Sequence, residues 1–498
     1  MTSGHSSVVE RLVANEKVEG STPFARSKID MYQIKKLNIE ELFNLAVQNQ
    51  KKNNLFKAKK IYNKILDLHP KFIAAYNNLG LIYKLEGEYE KAIQCFKKII
   101  KINPDLISAH NNLGIIFQKL GENKKAKDCY EKIIKVDPNF IMAQYNFGLV
   151  LKQLGEYEKA ISCFKKVIEI DSSIVNAHNS LGATYGDLGR YKEAIDCYII
   201  ALKHDNKHKT AKANLISALT YYQSDNDNPI ILTNNLLKKL YKEITNNLED
   251  NNLETFFKKS FKIIDNIKEN IHGIDYLETQ IYRRNSKNLN CERHHKVFNH
   301  LNIIPKFCFS CFKIQIEPKT VFELIKLFII FDNFNFPNNN WRKCMIELRP
   351  KVHGTYKGFI YCSSMDESKK IINDLSSVLK KSLEYKVSIK RGCSEFYNSF
   401  PNFKQTDKDE INFMNFEDSW SEIEKKADSE IKLDNTILKE SISGFSISDF
   451  LIINHWLNYA KAINDISYKN VSTDFIHSKF VAKKISNQLE LRRKQFLC

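Results

Sequence analysis

No run of eighteen apolar residues exists in this 498-residue chain; the longest candidate, Val321 to Phe331, is broken by Glu323 and Lys326, so no membrane insertion is expected. No convincing secretory signal stands at its amino terminus. Glycine and proline are few, 16 and 10, and nothing in the composition reads as fibrous or disordered. Three enzyme signatures are also missing. They are the Gly-x-x-x-x-Gly-Lys-Ser/Thr phosphate loop, the Gly-x-Ser-x-Gly nucleophile elbow and a His-x-Asp pair for an iron/2-oxoglutarate centre. These absences tilt the reading away from an enzyme without naming a function.

The length allows two to four domains, and 43% apolar residues is ordinary for a soluble chain. The formal charge of +18 has two sources to weigh, AT-rich codons that favour Lys, Asn and Ile, and a basic surface for nucleic acid; the first carries more weight. Eleven cysteines in a chain this large, without a secretory signal, read as reduced thiols in a bacterial-type cytoplasmic protein. Cys95, Cys129, Cys163 and Cys197 recur at a fixed interval and read as small packing residues.

Residues 1–30 show no amphipathic pattern. Gly20-Ser21-Thr22-Pro23 can be back-translated to GGT TCG ACT CCN, which resembles the T-arm of a transfer-RNA gene, and Val8 to Arg11 suits a D-arm. The segment is therefore expected to be a mis-annotated leader with the true start at Met31, against the plainer reading of a flexible tail.

The interval is thirty-four residues. It superimposes Asn78-Leu79-Gly80 on Asn112-Leu113-Gly114, Asn146-Phe147-Gly148 and Ser180-Leu181-Gly182, and aligns Ala92, Ala126, Ala160 and Ala194. The aromatics Phe96, Tyr130, Phe164 and Tyr198 keep the same step, and Ala58, Tyr62 and Pro70 extend the series backwards. A period of this length means helical pairs that bury their apolar faces only by stacking. Small Gly80 and Ala92 suit a close helix crossing beside Phe96; Gly87 suits the turn, and Pro104 ends the second helix. These residues resemble tetratricopeptide repeats, which implies a right-handed α-solenoid of five units over residues 39–208. Departures are Asn53 at a turn-glycine position, and Ser172 and Asn206 where a closing proline stands elsewhere.

One residue before the packing Leu or Phe of each first helix stands an asparagine: Asn44, Asn78, Asn112, Asn146 and Asn214, with Ser180 the departure. In tetratricopeptide proteins that helix lines the concave groove. The series is similar to the asparagine ladder of the O-linked N-acetylglucosamine transferase superhelix, which implies that the amides hold an extended peptide, since a carboxamide both donates and accepts. The plainer reading is that the first helix merely tolerates asparagine.

Past the array, residues 209–275 read as capping and linker helices, at 211–222, 231–248 and 253–271. Residues 276–400 change character. Strand-like Lys313 to Glu317, a helix over 320–331, strands 344–348 and 358–362 around His353-Gly354, a helix over 366–382 and a strand over 385–390 follow in the order βαββαβ. That order suggests a ferredoxin-like α+β domain smaller than the solenoid. Residues 401–498 read as an acidic loop, a helix near Trp420 to Ala427, a last helix over 447–463 and a basic tail.

The chemistry-bearing candidates lie here. Cys291-x-x-His294 and Cys308-x-x-Cys311 have the spacing of a zinc knuckle, whose four protein ligands would make a closed structural site. Packing beside Phe307, Phe309 and Phe312, or a redox Cys-x-x-Cys, are the alternatives. Lys390-Arg391 could lower the pKa of the Cys393 thiol. Basic clusters at Tyr282-Arg283-Arg284 and Arg492-Arg493-Lys494 could touch nucleic acid through phosphate or stacking. The leading expectation is a scaffold that binds a protein or peptide partner in the groove, ahead of a metal-containing protein-modifying factor and an RNA-associated factor.

Overall fold

A computed structural model describes residues 38–244, 249–283, 291–348, 354–403, 414–430 and 441–472, apart from a few single positions, together with isolated positions from 483 to 491. Residues 1–37, on which the expected leader and Met31 start fall, Arg284, the Arg492-Arg493-Lys494 cluster and much of the expected acidic loop lie outside the described residues. The chain divides into two compact units, one through Ser172 and one from Ser173 onward.

The first unit holds four helical pairs: α1 (Ile39–Lys51) with α2 (Leu55–Leu68), α3 (Ile73–Glu86) with α4 (Tyr89–Ile102), α5 (Ile107–Lys119) with α6 (Asn123–Val136), and α7 (Ile141–Gln153) with α8 (Tyr157–Ile170). Each pair closes as the sequence requires. A Cβ on Gly80 would lie 2.8 Å from Phe96, and one on Gly148 would lie 2.7 Å from Phe164, so only glycine lets the aromatic ring sit against the facing helix. The turns take positive φ, 78° at Gly87 and 61° at Asn53, and asparagine tolerates that left-handed backbone better than other residues with a side chain.

Three of the second helices, those followed by Asn103, Asp137 and Asp205, end alike whether or not proline comes next. Asn103 Oδ1 accepts from the Asp105 amide at 3.2 Å, Asp137 Oδ1 from Asn139 at 3.0 Å and Asp205 Oδ1 from Lys207 at 2.9 Å. This side-chain turn fixes the exit by itself, which explains why Asn206 can replace the proline.

The second unit opens with α9 (Val175–Asp187), α10 (Tyr191–His204) and the capping helix α11 (Lys209–Ala218), followed by α12 (Pro229–Ile244), α13 (Asp250–Asp265) and a single turn, α14 (Lys268–Ile271). Strand β1 (Gln280–Arg283), unforeseen in the sequence, leads to α15 (Cys291–Leu301) and the short α16 (Lys306–Phe309). Then come β2 (Phe312–Pro318), α17 (Val321–Asn333), β3 (Arg342–Ile346), β4 (Tyr356–Cys362), α18 (Met365–Ser382) and β5 (Tyr385–Arg391). Helices α19 (Ser419–Glu430) and α20 (Ile447–Ala462) complete it.

The sheet is antiparallel throughout, in the order β1-β3-β4-β2-β5. Its β3-β4-β2-β5 portion is the split β-α-β arrangement that the order βαββαβ implied, and β1 extends it along β3. Helix α17 approaches so closely that a Cβ on Gly358 would meet Leu327 at 2.5 Å. The fold is thus a tetratricopeptide α-solenoid with a smaller α+β domain after it. Helix α20 does not stand apart from that domain: Trp456 Nε1 donates to Thr279 O at 2.8 Å, and the Ile447 amide donates to Asn234 Oδ1 on α12 at 3.1 Å.

Candidate functional site

The asparagine row is set by the first helix of each pair. Leu79, Leu113 and Leu215 are buried, so the residue before each is half-turned from the core; Asn78, Asn112, Asn146 and Asn214 are half-buried, and Asn44 is exposed. The structure gives most of these amides partners inside the array. Asn78 Nδ2 donates to the Tyr62 hydroxyl at 3.0 Å, and that hydroxyl donates to Gln50 Oε1 at 2.8 Å. Two pairs on, the arrangement repeats: Tyr130 donates to Gln118 Oε1 at 2.7 Å and is hydrogen-bonded to Asn146.

In the intervening pair the aromatic is Phe96, which has no hydroxyl, and the glutamine position holds Lys84. Lys84 Nζ reaches Asn112 Oδ1 directly at 2.6 Å, while Asn112 Nδ2 donates to Ser108 O at 3.0 Å. Gln-Tyr-Asn therefore recurs after sixty-eight residues with Lys-Phe-Asn between, two devices that hold the same amide; the next set, Lys152 and Phe164, is followed by Ser180 instead. Burial, and then Lys119, push the Lys84 pKa down, while burial pushes the Tyr62 hydroxyl up against the opposing Asn78 bond. In the second unit Asn214 Nδ2 donates to Asn179 Oδ1 at 3.0 Å. The alternation was visible in the sequence as Gln50, Lys84, Gln118 and Lys152 against Tyr62, Phe96, Tyr130 and Phe164, yet a single-repeat period hides it.

The cysteines fall into two kinds. Cys95, Cys129 and Cys163 are buried, and burial pushes each thiol up to about 11, as packing residues should behave. Among the candidate ligands, Cys308 and Cys311 are buried and Cys291 is half-buried at the start of α15. The buried His294 ring stacks on Phe307 with centroids 5.2 Å apart. Among the described residues, no group of three or more His, Cys, Asp or Glu side chains stands in a metal-holding arrangement.

Arg391, beside Cys393, has partners of its own. Arg391 is buried, its guanidinium lies 4.5 Å from the Phe403 ring centre, and NH1 donates to Met414 O at 3.0 Å. The Tyr282-Arg283 cluster is corrected more sharply. Strand alternation turns Arg283 inward with Ile281, where it is 3% exposed. Its Nε pairs with Asp332, NH1 and NH2 donate to the Asp449 carboxylate at 3.1 Å each, and NH2 donates to Gly444 O at 2.8 Å. An arginine so enclosed offers nothing to a phosphate.

Tetratricopeptide-repeat family models match residues 42–71, 73–106, 107–140, 129–162, 148–189 and 175–208. No curated protein matches the chain. Among solved structures it is similar to the MamA protein, at 26% identity and TM-score 0.33, covering 34% of this chain and 92% of that one. It is also similar to YrrB, described as a TPR protein with an unusual peptide-binding site, at 23% identity and TM-score 0.33 over 39% of this chain and 97% of that one. PilF of Pseudomonas aeruginosa matches at 16% identity and TM-score 0.33, over 36% and 82%. No described helix is long and apolar enough to cross a membrane. The helical pairs, their small-aromatic contacts and the family models together show that residues 42–208 are tetratricopeptide repeats.

Proposed function

We propose that the chain is a protein-interaction scaffold whose first unit binds an extended peptide along the row Asn78, Asn112 and Asn146. The observation that carries this reading is that the repeat spends two different side-chain devices, Gln-Tyr and Lys, on holding one carboxamide in place. A fixed amide loses little freedom when a ligand arrives, which is what a peptide-backbone clamp needs. Asn78 commits an N–H to Tyr62, and its Oδ1, which accepts from Asn77 Nδ2 at 3.4 Å, has a second lone pair for a peptide N–H. Half-buried Lys84, beside Asn112 and within electrostatic reach of Lys119, makes the middle of the row basic and favours a segment with an acidic side chain there.

A peptide selected on the intact chain from a random display library, then titrated against Asn112→Ala/Asn146→Ala, tests the reading. Loss of binding with helicity unchanged supports it; an unaltered affinity counts against it. Asn44 would extend the row at its exposed end, and Asn214 belongs to the second unit with its own partner, Asn179.

A further inference from the structure

The ends of the second helices in the first unit carry both a pocket and a side chain that fits it. Where α4, α5 and α6 meet, an open pocket of about 260 Å³ is walled by Ile100, Ile107, Ile133 and Val136, with Lys132 and Lys135 on its rim. It has room for a leucine side chain, since a cavity of about 150 Å³ admits benzene. The buried His110 ring, hydrogen-bonded to Pro104 O at 2.7 Å, also lines it. Asn112 lies about 200° further round α5 than His110, so the pocket faces away from the asparagine row. Sixty-eight residues before Lys135 and Val136, at the end of α2, stand Asp67 and Leu68. Leu68 is 58% exposed, and Asp67 beside it is exposed too. Among the described residues Asp67 and Lys135 take part in no ion pair, whereas Glu169, at the same step on α8, is held by Lys166 at 3.1 Å.

We propose that the first unit pairs with a second copy of this chain, each copy setting Leu68 in the other's pocket and Asp67 against the other's Lys135. Packed helices hold Leu68 two repeats from the pocket of its own chain, so only a second chain can fill it. The reciprocity makes this a closed two-fold contact, in which one residue meets another and the second meets the first. Its axis passes the step midway between, where half-buried Ile102 meets its own copy. Charge selects this register. The residue before the recurring apolar position reads Asp67, Lys101, Lys135 and Glu169, so a two-fold pairing 67 with 169 and 101 with 135 would oppose like charges throughout. Pairing 101 with 169 would draw on Glu169, which Lys166 already holds. Pairing 67 with 135 joins opposite charges at both ends, and Lys101 opposes only its own copy. A contact with one anchor per copy is small, so a reversible dimer of micromolar affinity is expected.

Sedimentation of the full chain from about 1 to 100 μM tests this, with circular dichroism as the check on folding. The wild type should associate reversibly to a dimer across that range. Asp67→Lys and Lys135→Glu, which each set like charges together, should weaken the dimer at least about tenfold, and Leu68→Ala should do so by emptying the pocket. An equal mixture of Asp67→Lys and Lys135→Glu should dimerise better than either variant alone, because opposite charges then meet at both ends of the contact. That rescue also shows that neither variant has lost its fold. Asn112→Ala/Asn146→Ala should dimerise as the wild type does. A wild type that stays monomeric throughout, a dimer indifferent to Asp67→Lys, or a mixture no better than its components overturns the proposal.

Discussion

Asn78 Nδ2 donates to the Tyr62 hydroxyl across 3.0 Å, tying the first helix of one pair to the second helix of the pair before. A net hydrogen bond of this kind contributes about 1 kcal/mol, and Tyr130 makes the equivalent set with Gln118 and Asn146. Tyr130→Phe should therefore lower stability in urea by about 1–2 kcal/mol, because Gln118 and Asn146 both lose a partner. Adding Gln118→Lys converts the site to the Lys-Phe-Asn form seen at Lys84, Phe96 and Asn112, and should recover part of the loss. A double variant no more stable than Tyr130→Phe would show that the alternation is incidental.

The close helix crossings make a second prediction. Gly80→Ala places a methyl 2.8 Å from the Phe96 ring and should cost about 1–3 kcal/mol, although alanine is the better helix former. Phe96→Leu in the same chain should relieve the clash and give a smaller combined loss than the sum of the two. A stabilising Gly80→Ala, seen as a higher urea midpoint, would contradict the account of why glycine recurs.

Removing one partner of the enclosed Arg283 network should be far more harmful than removing a surface charge. Asp449→Ala leaves a guanidinium that is 3% exposed with Asp332, Gly444 O and Tyr282 O but without its bidentate carboxylate, and a loss of about 3–5 kcal/mol is expected. Asp449 is also the third residue of α20, where it accepts from the Ser446 amide at 2.9 Å, so the end of that helix should loosen. Hydrogen exchange across residues 441–460 reads the second effect. Unchanged protection there would argue against a role for the network in seating α20.

Glu367 gives a pH dependence. Burial raises its pKa, yet hydrogen bonds from Ser363, Asn338 and Asn340 outweigh that and bring it to about 2. A folded value below the unfolded one, about 4.3, means that its contribution is fully present above pH 4.3 and fades as pH falls through about 2. Glu367→Gln should therefore destabilise the chain at neutral pH and flatten the acid limb of the stability profile. An acid limb of unchanged slope would exclude Glu367 as one of its sources.

Much of this was legible in the residues. The thirty-four-residue step fixed the helical pairs, because small, aromatic and turn positions must recur for stacking, and the αβ order of residues 312–391 followed from period-two and period-3.6 patterning. Strand β1 escaped because four residues, Gln280–Arg283, are too short to show alternation, and a reading by residue type then took inward Arg283 for surface charge. The partners of the asparagines escaped for a different reason. Hydrogen bonds between neighbouring pairs depend on residues sixteen and twenty-eight positions apart, such as Tyr62 with Asn78 and Lys84 with Asn112. The placement of Cys393 beside Cys311 likewise comes from the pairing of β2 with β5, which spacing along the chain does not encode.

The most direct measurement is the affinity of a display-selected, extended acidic peptide for three forms of the full chain. If the carboxamides themselves hold the ligand, Asn112→Ala/Asn146→Ala should bind at least about tenfold more weakly, a loss of about 1.4 kcal/mol, while Tyr62→Phe/Tyr130→Phe should lose a smaller but measurable share, because its amides remain but are no longer held in place. Equal affinity for the wild type and the asparagine variant would contradict the proposed peptide row.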